Sequence, residues 1–249
     1  MRYRLISCEV LYRELCHTIA HSPHQVDLAF LPKGLHDIES AGMVARLQEA
    51  VDAVPPGSCD AILLGYALCN NGIVGLTARH VPVVVPRGHD CMTLFLGSKE
   101  RYISCFQENP GTYFLTTGWI ERGEPTGELR QLSISAKSGM DLTLEEFIEK
   151  YGEENGRFLY EQLGNHTKNY RQIMFVRMGI EPNDSFREEA VRRAKERGLA
   201  FTEKAGDLRL IDRLVNGPWN AEEFLLLQPG ERIVATHDER IIAAEPAPE

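Results

Sequence analysis

The sequence predicts an α/β protein built from two Rossmann-like lobes with mostly parallel sheets, the second lobe smaller than the first. Two observations indicate this class. Short apolar runs typical of buried strands alternate with segments whose apolar residues recur at helical spacing, and glycine or proline separates most of them. Strands that alternate with helices normally pair in parallel through right-handed crossovers, so we expect a mostly parallel sheet.

The first lobe is expected over residues 1–120. Its strands are predicted from apolar runs at 3–7, 26–31, 61–64, 81–85 and 112–115. Helical spacing or turn signals place its helices at 10–19, 43–54, 73–78 and 93–108. If the strand order is the flavodoxin-like 2-1-3-4-5, the first, third and fourth strands are immediate neighbours.

A polar junction that contains a long helix is expected over residues 121–165, with the helix at 143–163. The second lobe, residues 166–242, carries predicted strands at 173–177, 199–202 and 224–227 and helices at 185–197 and 208–214. The remaining residues, 243–249, are rich in alanine and proline, and we expect them to form a disordered tail.

Composition excludes several classes of protein. A net charge of -9 over 249 residues argues against a nucleic-acid partner, because proteins that bind phosphate backbones usually carry a basic excess. No apolar run approaches the length of about 20 residues that spans a bilayer, and no secretion signal is recognised, so we expect a cytoplasmic protein without a membrane partner. In that reducing compartment the six cysteines are better interpreted as thiols or metal ligands than as disulfides.

Three of the cysteines, Cys8, Cys69 and Cys91, each follow a predicted strand. The carboxyl ends of parallel strands meet at one edge of a sheet, so the three thiols are expected to lie together. Thiolates and imidazole are ligands of zinc, which we place ahead of the alternative, an iron–sulfur cluster. The other interpretation is that each cysteine only fills space at a strand end. Packing explains the remaining cysteines, which are expected elsewhere: Cys16, Cys59 and Cys105.

Further site residues are predicted around these cysteines. His89 is a candidate ligand or proton donor and Asp90 a candidate to orient it, although Asp90 has the alternative role of capping the next helix. His166 is a candidate metal ligand that faces the cleft from the second lobe. Backbone groups of a glycine-containing turn and one cation are expected to bind a cofactor or anionic substrate: Gly65, Asn70, Gly72 and Arg87.

Several common activities are disfavoured because their motifs are missing from the sequence. It contains no P-loop, no H-E-x-x-H, no G-x-S-x-G and no dinucleotide-binding glycine motif after the first strand. A cysteine nucleophile with His89 as its base remains open, but it would leave two thiols unexplained.

Segments 64–72, 86–102 and 113–121 resemble those of an uncharacterised family of bacterial and archaeal proteins, a domain of unknown function with a His-Asp-Cys motif. The genes of that family often lie near corrinoid methyltransferases. The resemblance implies a link to one-carbon or methyl-transfer metabolism and a corrinoid or methyltransferase partner protein. In this sequence the motif positions that the resemblance marks are Cys69, His89, Asp90 and Cys91.

Two functions follow as hypotheses. In the first, the protein is an enzyme with a cysteine-ligated metal that acts on a small-molecule substrate, a metal-dependent methyltransferase being one form of it. In the second, it is a non-catalytic accessory protein that binds a metal, a corrinoid or another ligand.

Overall fold

The computed structural model describes residues 1–140, 142–164 and 169–248. Within them the strands are β1 (Arg2–Cys8), β2 (Gln25–Leu31), β3 (Ala61–Gly65), β4 (Val83–Pro86), β5 (Thr112–Leu115), β6 (Gln172–Arg177), β7 (Ala200–Ala205), β8 (Phe224–Leu227), β9 (Glu231–Ala235) and β10 (Ile242–Pro246). The α-helices are α1 (Tyr12–Ala20), α2 (Ser40–Asp52), α3 (Cys91–Leu96), α4 (Lys99–Glu108), α5 (Thr117–Glu121), α6 (Gly127–Leu132), α7 (Ile134–Ser138), α8 (Leu144–Tyr151), α9 (Glu153–Leu159), α10 (Ser185–Glu196) and α11 (Arg209–Asn216). Short 3-10 turns cover Glu9–Leu11 and Lys33–Asp37, and a π-helical turn covers Tyr160–Gly164.

The largest sheet has the strand order β2-β1-β3-β4-β8. Its first four strands are parallel, in the flavodoxin-like order considered from the sequence, whereas β8 is antiparallel to β4 and takes the fifth place. The predicted fifth strand is β5, which instead pairs in parallel with β6 in a separate sheet of order β5-β6-β7. Strands β9 and β10 form an antiparallel pair. The protein is therefore a mixed α/β structure whose sheets are mostly parallel.

Apolar side chains cover both faces of the largest sheet, which explains why its strands are nearly continuous apolar runs. Leu5 and Leu63 belong to the core on one face, with Phe95 of α3. Their neighbours Ile6 and Leu64 belong to the core on the other face, packed with residues of α2. The period of two along each strand thus fixes which side chains meet which helices.

Four predicted elements differ from the structure. The helix expected at 93–108 is interrupted at Gly97, whose φ of 79° is left-handed, so α3 and α4 are separate. A Cβ at Gly97 would also lie 2.7 Å from the Asp207 Cβ atom, which requires glycine there. Gly152 similarly divides the long helix expected at 143–163. The segment 73–78 is not helical: 73–75 form a turn, and Thr77 makes a β-bridge to Arg232. The prediction of a disordered tail is wrong for residues 243–246, because Ala243 to Pro246 pair with β9.

No helix in the described ranges combines the length and the apolar character needed to cross a membrane.

Candidate functional site

A cavity of about 500 Å³ lies at the carboxyl ends of β1, β3 and β4 and reaches β5 of the second parallel sheet. The ends of the first sheet contribute Cys8, Gly65, Cys69 and Cys91 to its lining. Its size is in the range of sites for small molecules or cofactors. The edge of the sheet where the sequence predicts chemistry therefore borders a real cavity.

The three predicted thiols all line this cavity and are half-buried. Burial is the main cause that raises the pKa of Cys8 to about 12 and that of Cys69 to about 11. The pKa of Cys91 is also raised well above its ordinary value, first by burial and then by the charge of Cys69. Cys8 and Cys91 thus lie close enough to Cys69 for its charge to oppose their ionisation.

Backbone N–H groups oppose this effect by donating hydrogen bonds to two of the sulfur atoms. The Val10 N–H donates to Cys8 Sγ, and the N–H groups of Ala67 and Cys91 donate to Cys69 Sγ, and each bond lowers the pKa of its thiol. N–H donors stabilise anionic sulfur, so the loops are arranged for thiolates although burial keeps the free thiols protonated.

The described residues contain no group of three or more His, Cys, Asp or Glu side chains arranged to hold a metal ion. Three sulfur atoms bound to one tetrahedral zinc ion would lie within about 4 Å of one another, because each Zn–S bond is ~2.3 Å. The three cysteines therefore share a cavity without already converging on a single ion. The predicted ligand His166 lies outside the described residues.

The turn that carries Cys69 has an unusual backbone. Cys69, Asn70 and Asn71 have φ values of 43°, 58° and 61°, all in the left-handed region. Asparagine tolerates this region, but cysteine rarely adopts it, and such strain clusters at functional sites. Two hydrogen bonds of 2.9 Å hold the turn, from the N–H of Leu68 to the Gly88 carbonyl oxygen and from that of Cys69 to the His89 carbonyl oxygen. These bonds join the loop of Cys69 to the loop of Cys91.

Asp90 lines the cavity and caps α3. Its carboxylate accepts hydrogen bonds from the Met92 N–H at 2.9 Å and from the Tyr102 hydroxyl at 2.8 Å, and burial is the main cause that raises its pKa. The capping role considered from the sequence is therefore confirmed. His89 has an exposed side chain that does not line the cavity, so it does not face the thiols as a ligand would.

The residues predicted to bind a cofactor have different environments. Gly65 and Asn70 line the cavity. A Cβ at Gly65 would lie 2.2 Å from Ser7 Oγ, so glycine is also required for β3 to pack beside β1. Gly72 is buried against Met43, where a Cβ would lie 2.1 Å from the sulfur atom, and does not line the cavity.

Arg87 lies away from the cavity, contrary to the prediction that it faces an anionic substrate there. Its guanidinium is buried and donates hydrogen bonds to four backbone carbonyl oxygens, those of Ala221, Phe224, Arg240 and Ile242. The side chain therefore holds the chain around β8 and β10 together.

Much of the cavity lining was not predicted from the sequence, including Lys33, His36 and Trp119. Lys33 is 4% exposed, its ammonium donates to the Gly123 carbonyl oxygen, and it lies 5.0 Å from the centre of the Trp119 ring. The His36 ring contacts Trp119 edge-on at 4.9 Å. Only distant parts of the chain bring these side chains together, so no local pattern indicates them.

Tyr66 and Trp119 carry buried donors without a hydrogen-bond partner, the Tyr66 hydroxyl and the Trp119 indole N–H. The indole lowers the pKa of Cys91, so its N–H is directed toward that sulfur, although the contact falls short of hydrogen-bond geometry. Unpaired buried donors are rare in native proteins and require an explanation at a site.

The fold and the cavity define a class of protein: mixed α/β, with a thiol-lined cavity at the carboxyl ends of parallel strands. The chain belongs to a family described as a protein of unknown function, DUF1638, whose family model matches residues 30–215. No curated protein and no solved structure matches the chain.

Proposed function

We propose that Cys8, Cys69 and Cys91 hold a metal centre in the cavity and that the protein is an enzyme acting on a small molecule bound beside it. The observation that carries this proposal is that three thiols from three neighbouring strand ends line one cavity. A cysteine that only fills space has no reason to share a cavity with two others. Packing therefore explains one thiol more easily than three.

The donors around the sulfur atoms support the same proposal. Burial makes ionisation of the free thiols unfavourable, yet Cys8 and Cys69 each accept a hydrogen bond from a backbone N–H. A bound metal ionises a coordinating thiol outright, and N–H donors then stabilise the thiolate. The unpaired indole of Trp119 beside Cys91 fits the same arrangement.

Between the two metals, we now place an iron–sulfur cluster ahead of zinc, in the reverse order from the sequence expectation. The described residues do not converge on one ion, and a zinc site would need the three sulfurs within about 4 Å. A four-iron cluster tolerates sulfur separations of about 6 to 7 Å, because each cysteine binds a different iron. With three protein ligands it keeps one iron free, which supplies a Lewis acid or an electron to a neighbouring substrate.

The residues of the chain would then bind and orient that substrate. Asp90 and Tyr102 form a hydrogen-bonded pair in the cavity wall and are the groups best placed to deliver a proton. We assign the protein to one-carbon or methyl-transfer metabolism on the family resemblance, and to the cytoplasm because free thiols persist in a reducing compartment. We also infer two Rossmann-like lobes, one on each parallel sheet, with the cavity between them.

The second candidate is an accessory protein that binds a metal, a corrinoid or another ligand and delivers it to a methyltransferase partner. The open mouth of the cavity favours it, because the lining residue Phe106 is 50% exposed and available to a partner. Retention of a ligand without turnover of any substrate, alone or with the partner, would favour this function over the enzyme.

The experiment is to purify the protein without oxygen and measure iron, zinc and acid-labile sulfide, together with the visible absorption spectrum. Single changes Cys8→Ser, Cys69→Ser and Cys91→Ser should each lower the metal content several-fold. Cys59→Ser is the matched control, because Cys59 is also half-buried but lies outside the cavity. Metal-free wild-type protein that turns over a substrate would end the proposal.

A further inference from the structure

Six aromatic side chains form a large part of the cavity wall. They come from α4, β5, α5 and the segment before β6, and they are Tyr102, Phe106, Tyr113, Phe114, Trp119 and Tyr170. Tyr102 and Phe106 lie nearly parallel, with ring planes 17° apart, whereas Tyr113 and Tyr170 meet edge-on with centroids 5.2 Å apart. The wall therefore presents ring faces and ring edges, which are the surfaces that attract another aromatic ring.

The charged groups of the described lining already have partners in the protein. The Lys33 ammonium donates to the Gly123 carbonyl oxygen and lies over the ring of Trp119. The Asp90 carboxylate accepts from Met92 and Tyr102. Lys33 and Asp90 place one charge of each sign in the lining, so a charged ligand of either sign meets a like charge, and its burial is costly without a counter-ion of its own.

Two further polar side chains on this side, His36 and Thr112, are also occupied. His36 Nδ1 lies 2.8 Å from the Lys33 carbonyl oxygen and its Nε2 lies 3.0 Å from an Asp37 carboxylate oxygen. Thr112 Oγ1 donates to the Asn109 carbonyl oxygen and accepts from Gln172. Among the described residues, the unpaired indole N–H of Trp119 is directed toward Cys91, and the wall offers a ligand mainly aromatic surface.

Phe106 makes the wall incomplete. It lines the cavity but remains 50% exposed, so a large apolar ring at the mouth is left partly in water. A ligand ring placed against it would remove that surface from water.

We propose that the substrate carries an uncharged aromatic ring, which binds against the aromatic wall while its reacting group faces the three thiols. This inference rests on the proposed function for the reacting group, but the ring site itself needs no metal. The fixed ammonium of Lys33 beside Trp119 disfavours a cationic ligand, which is the other class that aromatic walls attract.

The test uses protein purified without oxygen and four probes of similar size: benzyl alcohol, benzylamine, benzoate and cyclohexylmethanol. Ligand-observed NMR titrations at pH 7 give a dissociation constant for each. Benzyl alcohol should bind at least tenfold tighter than the charged probes and several-fold tighter than the non-aromatic one. Equal or tighter binding of benzylamine, benzoate or cyclohexylmethanol, or no binding of benzyl alcohol, would overturn the inference.

Two variants locate the site. Phe106→Ala should weaken benzyl alcohol binding at least threefold, and its exposure makes the change tolerable for folding. Phe158→Ala is the matched control, because Phe158 is 60% exposed on α9 and does not line the cavity. Equal affinities of the two variants would place the ring elsewhere and contradict the inference.

Repeating the titration on Cys69→Ser protein, which should lose its metal, separates this inference from the proposed function. Because the ring site needs no metal, the variant should still prefer benzyl alcohol. Selective ring binding by a wild type that holds no metal would overturn the metal centre alone. Metal bound by wild type without selectivity for the ring would overturn only the substrate class.

Discussion

The Tyr102 hydroxyl donates a 2.8 Å hydrogen bond to the Asp90 carboxylate, which also caps α3 directly before Cys91. The helix α4 is thereby tied to the loop that carries two predicted site residues. Because Asp90 is largely enclosed, the bond satisfies a carboxylate oxygen that would otherwise be left without a protein donor.

Tyr102→Phe removes this bond and leaves the ring in place. We expect a loss of about 1 to 3 kcal/mol in the free energy of unfolding at pH 7, since hydrogen bonds to charged groups are worth that much. The pKa of Asp90 should rise further, because the Tyr102 bond lowers it. Urea unfolding measures the first effect; Tyr151→Phe, at an exposed position on α8, should change stability little. Equal losses in the two variants would contradict the role of the bond.

The buried carboxyl group of Glu14 should make the stability of the protein depend on pH. Its side chain is 1% exposed, one carboxylate oxygen has no hydrogen-bond partner, and burial raises its pKa from 4.5 to about 7. The unfolded chain releases this proton near pH 4.5 and the folded chain only near 7. The contribution of Glu14 to stability is therefore most favourable below pH 4.5, declines as the pH rises from 4.5 to 7, and falls by up to about 3 kcal/mol in total.

Glu14→Gln removes that ionisation. The variant should be more stable than wild type at pH 8 by roughly 1 to 3 kcal/mol, and the difference should shrink toward pH 4.5. Urea unfolding across this pH range measures it, with Glu149→Gln at an exposed position as the control. A difference that is constant with pH would show that Glu14 ionises normally in the folded protein.

The site thiols should react slowly in metal-free protein. Their pKa values of about 12 for Cys8 and about 11 for Cys69 leave very little thiolate at pH 8. Alkylation of Cys69 by iodoacetamide, followed by mass spectrometry, should rise about tenfold per pH unit between pH 8 and 10. Cys59, outside the cavity, provides the internal reference. Rapid alkylation of Cys69 at pH 8 would contradict the raised pKa.

Gly118 is required where α5 crosses the turn that follows Cys8. A Cβ at this position would lie 1.8 Å from the Val10 carbonyl oxygen. Gly118→Ala should therefore cost at least about 2 kcal/mol and lower metal binding, because α5 also carries Trp119. Gly42→Ala in α2 is the control: its Cβ meets only the end of the Ile38 side chain, at 3.1 Å, so we expect little change or a gain. Similar unfolding midpoints for the two variants would refute the steric argument.

Arg87 should affect stability and not the site. Arg87→Gln breaks hydrogen bonds to buried carbonyl oxygens and should lower the free energy of unfolding by about 2 to 4 kcal/mol. Arg79→Gln, which breaks an exposed ion pair with Asp52, should cost less than about 1 kcal/mol. The metal content of folded Arg87→Gln protein should equal that of wild type. Loss of metal from that folded variant would show that Arg87 contributes to the site.

Local patterns were sufficient for much of the fold. The apolar runs that became β3 and β4 are buried on both faces, and β1 to β4 pair in the order that a flavodoxin-like sheet would have. The pairing partner of a short apolar run is not local information, so β5 and β8 were expected in other sheets. The glycines that interrupt the predicted helices are visible in the sequence, but whether Gly97 takes a left-handed φ depends on its close contact with Asp207.

Local sequence patterns predicted the candidate site only in part. Strand ends indicated Cys8, Cys69 and Cys91, because the edge of a parallel sheet follows from topology. The direction of a side chain within a loop does not, so His89 was expected in the cavity but is exposed. Lys33 and Trp119 reach the cavity from parts of the chain that are separated by more than eighty positions, and only tertiary packing brings them together.

The most direct test of the metal centre is the amount of iron and acid-labile sulfide per chain in wild-type protein purified without oxygen, compared with the Cys8→Ser, Cys69→Ser, Cys91→Ser triple variant. We expect about four iron and four sulfide in the wild type, with visible absorption, and neither in the folded triple variant. One zinc per chain would contradict the cluster and support the zinc alternative. Equal metal content in wild type and the triple variant, or none in either, would contradict the cysteine-ligated centre itself.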